Sequence, residues 1–194
     1  VSFYNETNDR SIKPTPTIGG VGLIKDITNM VTASFKKEKS IILVIGKTIG
    51  NLNQSLFARE ILKNNSGYPP EINLFNEKNN GETLLNLIEK KFILSTHDVS
   101  SGGLVICLSE MCIGGKLGAK INLPKRLINS YEYLFAEDQG RYIVEVDEKN
   151  INKITEILNK NSVFFEKIGI TQKNNLTLEN EFNISIEELS ELNN

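Results

Sequence analysis

The chain has 194 residues, with 22 basic against 24 acidic side chains, a net charge of −2, 39% hydrophobic and 24% charged residues, and a pI near 5.6. These proportions describe an ordinary globular chain long enough to bury a core. They exclude a concentrated basic surface for nucleic acid. The longest apolar runs are strand length, which excludes a helical membrane span.

Residues 1–24 begin without a methionine, in what reads as mid-strand, as if cut from something longer. A polar turn and an extended segment punctuated by Pro14, Pro16, Gly19, Gly20 and Gly22 follow; the prolines exclude a helix interior there. Residues 25–40 read as a junction, with Lys36-Lys37-Glu38-Lys39 as a solvated turn. The β-branched run Ser40 to Gly46 predicts a buried strand. Apolar spacing predicts helices over 52–63 and 74–91, separated by the breaker Gly67-Tyr-Pro-Pro70. A strand over 92–96, a helix over 103–113, a strand over 118–123 and a helix over 128–134 come next. Strands over 141–146, 163–170 and 176–178 alternate with a helix over 151–158, and a helix over 186–192 closes the chain. Strands alternating with helices predict an α/β class, a two-layer sandwich of a mixed sheet and covering helices. The acidic tail from Asn180 is expected to be peripheral. Cys107 and Cys112 lie five apart on one predicted helix, on different faces, and match no zinc or redox spacing. They read as buried thiols of a reducing cytosol.

Four segments carry chemistry-bearing residues. The first is His97-Asp98-Val99-Ser100-Ser101-Gly102-Gly103, placed between a strand and a helix. Glycines at such a bend present free N–H groups at a helix N-terminus, which suits phosphate or carboxylate. The plainer alternative is that Ser100 or Ser101 caps the helix and the glycines only make the turn. His97, the single histidine, reads either as a packed residue or as a base beside Asp98. The second segment, Glu137-Asp138-Gln139 before Gly140 and Arg141, reads either as a polar cluster that contacts a ligand or as a solvated turn. The third, Ile18 to Gly22, lacks the context of a dinucleotide or P-loop fingerprint and defaults to a turn. The fourth groups Ser2 with Asn5, Glu6 and Thr7, which read either as side chains pointing into a site or as ordinary strand and turn residues, since nothing in the run itself demands a site.

Taken in order, the runs Val1 to Thr7, Pro14 to Leu23, Gly67 to Pro70, Thr96 to Leu104 and Leu134 to Tyr142 resemble the second half of the phosphoribosylformylglycinamidine synthases. The resemblance covers residues 1 to about 146. It implies an aminoimidazole-ribonucleotide-synthetase-like C-terminal domain over 38–194, preceded over 1–37 by the end of an N-terminal-half domain. It implies membership of a cytoplasmic enzyme that uses ATP, Mg²⁺ and glutamine-derived ammonia to convert formylglycinamide ribonucleotide to its amidine. The implied partners are the missing N-terminal portion, a glutaminase subunit and a small accessory subunit, with neither nucleic acid nor membrane. Ser2 matches the family's substrate-binding serine. The ATP-contacting Gly and Mg²⁺-ligating Asn of the family would precede Val1, so no metal ligand is expected here. The catalytic histidines belong to the family's first half, so no catalytic residue is expected and His97 is not the general base. Ser100, Ser101, Gly102 and Gly103 are carried as an anion loop, and His97, Asp98, Glu137, Asp138 and Gln139 as polar contacts. Ser101, Ala136 and Gly140 depart from the family pattern. Two competing readings are another enzyme of the same superfamily and a non-catalytic, nucleotide-holding structural module.

Overall fold

A two-residue turn with Asn8 and Asp9 both at positive φ joins β1 (Asn5–Thr7) to β2 (Arg10–Ile12) in a separate hairpin, the handedness that matches strand twist. The computed structural model describes residues 5–12, 19–24, 26–123, 129–179 and 181–193. Ser2, Pro14 and Pro16 lie outside the described residues. Gly19, Gly20 and Gly22 are exposed and without regular structure.

The remaining elements in chain order are β3 (Ile41–Ile45), α1 (Leu56–Glu60), α2 (Leu74–Glu89), β4 (Ile93–Asp98), α3 (Gly103–Gly115), β5 (Gly118–Ile121), α4 (Ser130–Phe135), β6 (Tyr142–Val146), α5 (Ile151–Lys160), β7 (Phe165–Gln172), β8 (Asn175–Leu178), β9 (Phe182–Ser185) and α6 (Ile186–Leu192). Seven strands form one sheet in the order β4-β6-β3-β7-β5-β8-β9, antiparallel except for the parallel pair β5 and β8. β3 lies inside this sheet, which is why its five residues are all buried. Its side chains alternate between two cores. Ile42 and Val44 pack with α3, α4 and α6, while Ile41, Leu43 and Ile45 pack with α2 and α5. Helices therefore cover both faces, giving three layers where alternation alone suggested two. Helix α5 is amphipathic, burying Ile154 and Leu158. Helix α3 buries one broad face, Gly103, Leu104, Cys107, Leu108, Met111 and Cys112, wide enough to take in both cysteines.

Three predicted elements change. The helix expected over 52–63 shrinks to α1, because Ser55 caps it, accepting from Ala58 N, and Gln54 and Lys63 on either side adopt positive φ. The strand expected to stop at Thr96 runs on to Asp98, so His97 and Asp98 are strand residues rather than loop residues. A bulge between Ile93 and Ser95 turns the Ser95 hydroxyl toward the Glu145 carboxylate. The acidic tail is not peripheral: Phe182–Ser185 adds the edge strand, and Ile186 and Leu189 pack into the α3 core.

Glu145 is wholly buried in β6 and accepts from Lys36 N at 2.8 Å, Lys37 N at 3.0 Å and Ser95 Oγ at 2.8 Å. The lysine side chains at 36–39 are exposed, as predicted, but their backbone is pinned to the sheet through this carboxylate. Burial raises the Cys107 thiol far above its usual range, assisted by the Glu110 and Asp98 carboxylates, and raises Cys112 to about 12. Thiolate is the reactive form, so the native chain is expected to leave both thiols unmodified by a thiol reagent at pH 8. Both should titrate in denaturant. Rapid labelling of the folded chain would contradict this packing.

Candidate functional site

The predicted polar motif after α4 is built from the inside outward. Arg141 is 1% exposed and donates from Nε to Asp138 O at 3.1 Å, from one terminal nitrogen to Thr48 Oγ1 at 3.2 Å, and from the other to Ala136 O. Burial lowers its pKa, and the Asp138 carboxylate opposes that shift. The loop 136–140 is thereby closed around a buried guanidinium. From this loop two carboxylates reach outward to other backbones. Asp138 Oδ2 accepts from Ile49 N at 2.8 Å and Gly50 N at 2.9 Å, and its Oδ1 from Asn51 N at 3.3 Å. Glu137 Oε1 accepts from Leu56 N and from Gly102 N, both at 2.8 Å.

The glycine turn is therefore filled from within. Gly102, at φ 82°, is the N-cap of α3 and no side chain caps the helix, so neither Ser100 nor Ser101 takes that role. The Gly102 N–H expected to face a phosphate meets Glu137 instead, and the Gly103 N–H donates to Ser100 O at 3.1 Å. An internal carboxylate oxygen accepts the N–H that a helix start leaves without an intrahelical partner.

His97 lies between Asp98 and α3. His97 Nε2 lies 3.3 Å from Glu110 Oε2 on α3, while Nδ1 lies 2.8 Å from Asp98 O and 3.4 Å from Asp98 Oδ1. It is a strand residue docked on a helix. Asp98 lines a cleft of about 220 Å³ together with Glu77, Ser100, Gln139, Gly140 and Tyr142. A smaller cleft of about 100 Å³ shares Glu77, Gln139 and Gly140 and adds Lys47, Asn73 and Asn76. Asn80 Nδ2 holds Gly140 O at 2.9 Å between them. Partial burial raises the Tyr142 pKa, and the Glu77 and Asp98 carboxylates raise it further. A larger depression of about 830 Å³ lies along β8 and β9; it is open, and none of the motif residues lines it.

The fold thus brings Asp98, Ser100 and Gln139 to one cleft, ties the adjoining 136–140 loop to its neighbours through Glu137 and Asp138, and docks His97 on α3. Ser101 is exposed. Ser2 lies outside the described residues, and Asn5, Glu6 and Thr7 form β1. Sequence reasoning missed Glu77, Asn80 and Tyr142, because nothing local distinguishes an acidic or amide residue on a helix from a solvated one. Among the described residues no three His, Cys, Asp or Glu side chains converge as a metal site. Among them, too, no helix is long and apolar enough to cross a membrane.

The chain thus presents a seven-stranded mixed sheet with helices on both faces and a glycine turn leading into α3. The family described as AIR synthase related protein, C-terminal domain, matches residues 36–179, and the chain belongs to it. It is 58% identical over 189 residues to the phosphoribosylformylglycinamidine synthase subunit PurL of Pelagibacter ubique, covering 97% of this chain and 26% of that protein. It is 41% identical over 191 residues to the same subunit of Bartonella henselae, covering 98% and 26%. The chain spans about a quarter of the length of these curated relatives. Among solved structures, T. maritima PurL complexed with FGAR superposes with a TM-score of 0.71 at 20% identity, over 84% of this chain and 30% of that one. The hydrogenase maturation protein HypE in complex with ATP gives 0.56 at 13% identity, over 79% and 51%. These last two likenesses concern the fold alone.

Proposed function

We propose that this chain acts as a section of a PurL-type phosphoribosylformylglycinamidine synthase. The whole protein would use ATP, Mg²⁺ and glutamine-derived ammonia to convert formylglycinamide ribonucleotide to the amidine. The observation that carries the reading is 58% identity along 97% of the chain to one segment of a PurL subunit. In this reading a glutaminase and a small accessory subunit are partners of the assembled enzyme, which works in the cytoplasm. Residues 1–37 belong to a preceding synthetase-like half and 38–194 to the C-terminal domain; the start of the family match at residue 36 and the separate β1–β2 hairpin support that boundary. Ser2 is the proposed substrate contact, and Asp98, Ser100 and Gln139 are the cleft residues open to a ligand or a neighbouring domain. ATP and metal chemistry would be supplied elsewhere in the whole protein, since the α3 turn is occupied by Glu137.

Transplanting this chain in place of the matching segment of the Pelagibacter ubique subunit tests the reading. The chimera is expected to form the amidine from formylglycinamide ribonucleotide, ATP, Mg²⁺ and ammonia within about tenfold of the parent rate. Loss of turnover in a soluble, folded chimera would argue for a different role.

A further inference from the structure

Glu137 joins two segments distant in sequence, and it does so with one atom. Its Oε1 takes the N–H of Leu56, the first residue of α1, and the N–H of Gly102, which precedes α3. The segment that leaves β3 and the turn that leaves β4 are both fixed to the loop after α4. That loop is itself closed around Arg141. Ser100, two residues before Gly102, lines the cleft with Asp98 and Gln139. The position of the cleft wall is therefore set by the reach of the Glu137 side chain.

We propose that Glu137 is a positioning residue that acts through the shape and reach of a single acceptor oxygen rather than through its charge. A glutamine has the same stem and carries a carbonyl oxygen where Oε1 sits, and one carbonyl oxygen accepts two N–H groups. An aspartate keeps the charge but is one methylene short, by about 1.5 Å, and cannot meet both donors at hydrogen-bonding distance. Shape and charge thus predict opposite orders for the two conservative substitutions.

The experiment reads the Leu56 and Gly102 amides singly, by hydrogen exchange in the ¹⁵N-labelled 194-residue chain. Glu137→Gln is expected to keep both protections within about threefold. Glu137→Asp should lose about tenfold at both amides together, the scale of one net hydrogen bond lost. The catalytic consequence rests on the functional reading above and is read in the chimera. There Glu137→Gln should keep kcat/KM within about threefold and Glu137→Asp should lose about tenfold. Aspartate tolerated and glutamine not, equal effects of the two, or loss at one amide without the other would each overturn the proposal. If the chimera with Glu137 intact is inactive, the functional reading has failed, and amide exchange alone decides the role of Glu137.

Discussion

Substituting Gly103 by alanine is expected to destabilise the chain by about 3–5 kcal/mol, combining a strained left-handed residue with an overpacked contact. Gly103 sits at φ 74°, and a Cβ there would lie 2.7 Å from Leu134 O, Ala136 O and the Phe135 carbonyl carbon. All three are backbone atoms at the end of α4, so relief requires moving the loop that carries Glu137 and Asp138. Gly102 offers the contrast. It has φ 82°, but its Cβ would meet the side chain of Ile106, on the exposed side of α3. Ile106 has to leave its rotamer to clear the new Cβ, a side-chain rather than a backbone adjustment, and Gly102→Ala is expected to cost about 2–3 kcal/mol, less than Gly103→Ala. Urea denaturation of the two variants gives the comparison directly through the shift in midpoint. Equal costs would mean that the close approach of α3 to α4 does not hold the turn.

The run that makes β3 was readable because five consecutive apolar residues of mostly β-branched type admit little else once flanked by charge and glycine. Helices α2 and α5 were readable from the period of their apolar residues. The length of α1 was not, since the apolar spacing of Leu52 to Leu62 continues through a segment whose backbone is broken by Gln54 and Lys63 in left-handed conformations. β9 was also hidden. Its residues Phe182 to Ser185 gain their strand character from pairing with β8, an event with no local signature in a polar, acidic stretch.

The site divides along the same line. The Glu137-Asp138-Gln139 motif and the Ser100–Gly103 turn stood out as residue types, yet their partners did not, because each partner is a backbone N–H. Any residue except proline carries one, so Leu56, Ile49, Gly50 and Asn51 give no sign in sequence that a carboxylate will fill their donors. The same physics bears on the expected anion loop. The N–H groups at a helix start need an acceptor, and here the chain supplies one from 35 residues away. Extending β4 by two residues moved His97 onto the sheet, where Glu110 fixes it.

Arg141→Met is expected to cost about 3–5 kcal/mol, the scale for leaving a buried ionic and hydrogen-bonded network without its cation. Methionine fills much of the volume, so the loss isolates the polar role. Ala136 O, Asp138 O and Thr48 Oγ1 would lose their donor, and all three residues are buried. Asp138 would also lose the nearby positive charge while still holding the backbone of Ile49, Gly50 and Asn51. Arg141→Lys keeps that charge but replaces a planar fork reaching three acceptors by a single point of donation, and should cost about 2–3 kcal/mol. Midpoints of urea unfolding rank the three chains, and an unchanged slope confirms that the same cooperative unit unfolds. Amide exchange at residues 49–51 then separates two causes. If the fork closes the 136–140 loop, those amides lose protection in both variants, because the Asp138 carboxylate shifts with its own backbone. A lysine variant as stable as the parent, with residues 49–51 still protected, would show that charge alone holds the loop and that the three directed hydrogen bonds of Arg141 are incidental.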